Sequence, residues 1–132
     1  MALRVEFDPS NKILLVRFEG ALTDESIADF YRVVRQHWTA ADARMGIVDF
    51  WAVTDYALSS DLVRRLAKQE PCMPDPTDRP RVIVAPQNHG FGLARMFQIM
   101  GETTRPLLHV VHTLDEAFAK LGVHAPTFEL LE

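Results

Sequence analysis

Ser59 and Ser60 stand side by side just ahead of Leu62, Val63, Leu66 and Ala67, whose spacing is that of one face of a helix. A serine in that place can cap the helix, its oxygen accepting a free backbone N–H of the first turn. Either hydroxyl is also a candidate phosphosite, because a helix N-terminus favours a dianionic phosphate. A second cluster, Asp49, Trp51, Thr54, Asp55 and Tyr56, follows an apolar run that reads as a buried strand. An unpaired carboxylate in such a strand costs several kcal/mol. Asp49 is therefore expected near solvent, paired with a cation, or bonded to backbone amides as an Asx-type cap of the following loop. The functional alternative is a pocket wall, with aromatic side chains for apolar contact and Asp55 for polar orientation.

A third stretch, Pro86-Gln87-Asn88-His89-Gly90-Phe91-Gly92, joins an expected strand to an expected helix. Two glycines at a helix start suggest a phosphate cradle, but neither Rossmann nor Walker spacing is present, and Asn88 as an N-cap accounts for much of the pattern. His89 has no cysteine or second histidine nearby at ligand spacing, and His109 and His112 should point to opposite faces of a strand. No metal site and no cofactor are expected. No G-x-S-x-G elbow occurs, and Cys72 has no adjacent His or Arg to activate its thiol, so the chain does not read as an enzyme. On the helix beginning near His89, a helical wheel puts Leu93, Met96, Phe97 and Met100 on the core side. It leaves Phe91 and Ile99 beside Arg95 and Gln98 on the solvated side, more apolar surface than packing needs. Single exposed apolar residues are normal, and the sharper expectation is that this face meets a protein partner, a second copy of the chain or a membrane surface, with the soft methionines Met96 and Met100 able to adapt.

The elements that must position these groups follow from periodicity. Leu3, Val5 and Phe7 alternate with Arg4 and Glu6, the turn residues Asp8-Pro9-Ser10-Asn11 follow, and Ile13 to Phe18 forms a second strand, giving an antiparallel hairpin. Thr23 or Asp24 caps a helix carrying Ile27, Phe30, Tyr31, Val34 and Trp38. Strands at 45–51, 81–85 and 107–111 alternate with helices after Ser59, over 88–101, and from Thr113 to Gly122. Residues 71–80, with Pro71, Pro74, Pro76 and Pro80, form a loop, and 123–132 a C-terminal tail. The fold class is α/β: a single domain with a four- to five-stranded mixed, mainly parallel sheet, an N-terminal β-hairpin and about four helices. Ligands on such sheets sit at the C-terminal strand ends, here 50–56, 86–92 and 112–115.

With that order on the page, residues 3–122 resemble the STAS-like domains, in particular the SpoIIAA-like group of small bacterial proteins. The resemblance rests on the element order, on Val48-Asp49-Phe50, on the segment 54–62, and on Thr113-Leu114-Asp115-Glu116-Ala117-Phe118. In STAS-class anti-sigma-factor antagonists a partner kinase phosphorylates a serine in a motif of the form Asp-Ser-Ser-Gly-Leu. Here Leu58-Ser59-Ser60-Asp61-Leu62 keeps both serines and the last leucine, replaces the leading acid by Leu58 and the glycine by Asp61. An acid beside the serine repels an incoming phosphate, and glycine admits a closer approach than aspartate. The resemblance implies a non-catalytic regulatory module that binds a protein partner and is switched at serine.

Composition narrows the classes further. The chain has 132 residues, a hydrophobic fraction of 48% and a net charge of −4, values that suit one soluble core and disfavour nucleic acid, since the 14 Lys and Arg are scattered. No apolar run is long enough to span a membrane, no signal peptide is evident, and the lone cysteine suits a reducing compartment, so a cytoplasmic place and a homodimer or protein partner are expected. The alternative is a carrier or sensor of a small apolar or lipid ligand, held in a pocket between loop 71–80 and the helix at 89–101.

Overall fold

The computed structural model describes residues 2–69 and 79–132. Residues 70–78, with Cys72 and most of the expected proline loop, lie outside the described residues. The alternation of Leu3, Val5 and Phe7 produces β1 (Ala2–Asp8), which pairs antiparallel with β2 (Ile13–Leu22) across the turn. Asp8 closes that turn through its Oδ1, which accepts the Ser10 N–H at 2.8 Å, while its Oδ2 accepts from the Asn11 amide at 2.9 Å. Thr23 caps α1 (Asp24–Ala40) in a reciprocal capping box with Ser26. β3 (Met45–Tyr56), α2 (Ser60–Lys68), β4 (Arg81–Val84), α3 (Asn88–Met100), β5 (Leu108–Val111) and α4 (Leu114–Leu121) follow in the expected alternation.

The sheet order is β5-β4-β3-β2-β1-β6, with β2 to β5 mutually parallel. Because β2 to β5 step one way across the sheet, right-handed crossovers place α1, α2 and α3 on a single face. Val33, Val34 and Trp38 of α1 pack there on Val5, Phe7, Leu14 and Val16. α4 covers the opposite face, with Ala117 against Ile13, Leu15, Ile47, Val82 and Val84.

The structure differs from the expectation in a few places, each with a physical reason. The sheet has six strands rather than four or five, because the tail returns beneath the sheet and adds β6 (Glu129–Leu130) antiparallel to β1. Val5 N–H donates to the Glu132 carbonyl at 3.0 Å, and the Glu132 carboxylate meets His37 at 2.8 Å and Arg32 at 3.2 Å, with both contacts holding its pKa below the ordinary value. β3 runs on to Tyr56, pairing with Glu19–Leu22 where a loop was expected. Its alternation is broken by register shifts at Arg17/Glu19 and Gly20/Ala21, so a period of two is not readable there. Gly20 adopts φ +87°, a left-handed value that glycine takes without strain. In α3 the wheel is rotated: Gly90 and Ala94 are the buried positions, Phe97 packs beside them, and Met100 is exposed. The small residues let the helix approach the sheet closely, and hydrophobic counting undervalues them. Phe91, expected on the solvated side, is partly buried beside Ala94 and Leu108 and stacks on His112 at 4.0 Å between ring centres. The N-cap of α3 is Gln87, without a side-chain cap bond, rather than Asn88.

Candidate functional site

Ser59 sits with extended backbone at the N-cap of α2, and its Oγ accepts the Leu62 N–H at 3.1 Å. Ser59, Ser60 and Asp61 are all exposed. The carboxylate of Asp61 leans towards Arg64, 3.2 Å away. The cap is therefore made, and the neighbouring hydroxyl of Ser60 faces solvent at the positive end of the helix.

The cluster around Asp49 separates into unlike parts. Asp49 is 2% exposed, and its Oδ1 accepts the Trp51 N–H at 2.9 Å. This is an Asx-type cap, but it fastens a bulge inside a strand rather than a loop. Asp49 Oδ2 lies 3.5 Å from Arg17 Nε, which in turn lies 3.3 Å from Glu6 Oε2. Burial pushes the Asp49 carboxyl above the ordinary carboxylate value, and the Trp51 amide and Arg17 offset only part of that. Trp51 is 69% exposed, and Thr54 and Asp55 also face solvent. None of the three joins Tyr56 in the cavity beneath the helices.

That cavity, about 120 Å³, lies between the sheet and α1, α2 and α3. Phe18 and Phe50 form its floor with Ile83, and Phe30, Val63 and Leu93 come down from the helices. Phe18 anchors the aromatic part, 5.6 Å from Phe30 and 5.4 Å from Phe50 between ring centres. Tyr56 closes one wall. Its ring lies 6.1 Å from Phe50 edge-on and 5.8 Å from the stacked ring of His89. The Tyr56 hydroxyl is buried and has no hydrogen-bond partner among the described groups, a state that costs about 1–3 kcal/mol. Burial also raises its pKa, with the Asp49 charge adding to the shift, so the phenol stays neutral at physiological pH.

Sequence reasoning missed Arg105 and the pairing of Tyr56 with Gly90. Arg105 is 4% exposed and fixes the C-terminal end of α2. Its guanidinium donates to the carbonyls of Ala67 at 3.0 Å, Gln69 at 3.0 Å and Leu66 at 3.3 Å, and lies over the Phe97 ring at 4.7 Å. Those carbonyls are 36 to 39 residues away in sequence, so no local pattern announces the contact. Gly90 faces the Tyr56 ring so closely that an added Cβ would stand 2.6 Å from Cε1 and nearer still to Cζ and the hydroxyl. The glycine serves close packing here, and Gly92 has open space around it. His89 is exposed apart from its stack on Tyr56, and Arg95 bonds the Gln98 side chain at the surface. Ile99 is 56% exposed, away from the cavity wall.

No protein-family model matches the chain, and no curated protein matches it. Among solved structures, the chain is similar to that of the anti-sigma factor antagonist SpoIIAA in its unphosphorylated form. The match has a TM-score of 0.60 and 15% identity, and it covers 94% of this chain and 100% of that one. The chain has the mixed α/β fold of the STAS/SpoIIAA-like class. No helix among the described residues is long and apolar enough to cross a membrane.

Proposed function

We propose that this chain is a non-catalytic regulatory module that binds a protein partner at the N-terminal end of α2, with Ser59 or Ser60 as its switchable hydroxyl. The observation that carries this reading is the exposed Ser59-Ser60-Asp61 start of α2 on a fold like that of an anti-sigma factor antagonist. A phosphate on either serine would meet free N–H groups and the positive end of the helix dipole. Asp61 opposes it by like charge, and its lean towards Arg64 lessens that opposition. Partner and phosphate would then compete for one small surface, which is how a charge added at a single hydroxyl can release a bound protein.

The test uses tagged protein purified from its own host, wild type beside Ser60→Trp with Asp61→Arg. The expected result is a protein held by wild type and lost from the double variant, whose binding is reproduced with both components purified. Phosphate on Ser59 or Ser60 should weaken that binding at least tenfold. Binding unaffected by the double variant, together with an unmodified 59–62 peptide under several growth conditions, would overturn the reading.

A further inference from the structure

We propose that residues 128–132 exchange between two copies of the chain, so that the tail of each completes the sheet edge of the other. This goes beyond the partner-binding reading at α2 and does not depend on it. In the closed form the tail lies on its own body as a compact unit. Phe128 packs on the α4 face with its ring centre 6.4 Å from that of Phe118, and β6 pairs with β1. The Leu131 N–H donates to the Val5 carbonyl at 2.7 Å, and the Glu132 carboxylate reaches His37 and Arg32 of α1. Each of these contacts can be made equally well by the tail of a second copy, which is the condition for exchange without loss of contacts.

The hinge supplies the drive. Between Val123, which packs on the core, and Phe128, residues 124–127 form neither helix nor strand. Ala125 stands at φ +43°, a left-handed value that is unfavourable for any residue with a Cβ, and it is exposed, so packing offers no compensation. Pro126 follows it, and a residue before proline favours extended backbone at negative φ. Straightening the hinge lets Ala125 take that conformation and carries the tail away from its own body; short hinges under strain invite such exchange. Extended, the stretch from Val123 to Phe128 spans at most about 17 Å, so the two bodies must lie close together near the β1–β6 edge. Leu130 and Leu131 are 61% and 40% exposed on that edge in the closed form, and the second body would cover them.

The full chain, refolded from urea at low and at high protein concentration, tests the exchange. Light scattering gives the size, and NMR on an equal mixture of isotope-labelled and unlabelled copies gives the contacts. The expected result is a monomer–dimer equilibrium with cross-copy NOEs between Phe118 and Phe128. Ala125→Gly relieves the strain of the closed form and should raise the dimer dissociation constant by about tenfold. His37→Gln weakens a contact common to both forms and should leave that constant unchanged. A chain monomeric up to millimolar concentration, or a dimer without the cross-copy NOEs, would overturn the proposal. So would a dissociation constant unmoved by Ala125→Gly, or moved alike by both substitutions.

Discussion

Replacing Gly90 by alanine tests whether the α3–Tyr56 contact is as close as the geometry states. In an exposed helix the change would stabilise by about 1 kcal/mol, since alanine is the better helix former. Here the new methyl meets two ring atoms and the hydroxyl oxygen of Tyr56, the farthest at 2.6 Å, so the ring or the helix must shift. Retreat of the ring is resisted by Phe50 on one side and His89 on another. Overpacking of this kind costs about 1–3 kcal/mol, and a three-atom overlap belongs at the upper end. The net expectation is a loss of about 2 kcal/mol, read from urea unfolding. Tyr56→Ala removes the obstructing ring, and in that background Gly90→Ala should stabilise by about 1 kcal/mol. The coupling energy between the two sites is then about 3 kcal/mol. A coupling below about 0.5 kcal/mol, or a stabilising Gly90→Ala in the wild type, would refute the packing argument.

Arg105→Met should lower stability by about 2–4 kcal/mol, because it removes charged donors from three α2 carbonyls. Amide exchange at Val63 and Leu66 should speed up more than exchange in β2. Ser59→Ala should cost about 1 kcal/mol through the lost cap, whereas Ser60→Ala should stay within about 0.5 kcal/mol, both by chemical unfolding. The Asp49 carboxyl is raised in the fold, so the native state holds its proton to higher pH than the unfolded chain does. Its contribution to stability falls as pH rises from the unfolded value of 3.8 through the raised folded value, and is constant above. Asp49→Asn, which keeps an oxygen for the Trp51 amide, should therefore gain on wild type across that window in unfolding free energy, and a constant difference would contradict the assignment.

Most of the element order was legible because each element obeys one period and carries its own punctuation. Thr23, Ser59 and Thr113 mark helix starts, and all three make the cap bond that their residue type suggests. Legibility failed where the chain departs from a period. The bulges in β3 break alternation between Asp49 and Tyr56, so a paired strand extension resembled a loop, and a cluster of pocket-like residues was divided between two faces. The same break explains why Asp49 was difficult to place. Its partner is the amide two residues on, available only because the bulge turns that N–H out of the ladder.

The cavity was hidden for a different reason. Its floor from β2, β3, β4 and β5 and its lid from α1, α2 and α3 come from segments up to 90 residues apart, counting from Phe18 to Leu108. Each contributing residue reads on its own as ordinary core. What opens it is the mismatch between them: Gly90 and Ala94 are the buried positions of α3, while Leu93 and Phe97 line the space together with Val63 and Leu66 of α2. A helix lowered on small residues at one stripe cannot also fill the space beside it with the same stripe. The gap next to α2 is thus a consequence of the close approach at Gly90, where the Tyr56 ring and hydroxyl pack against α3.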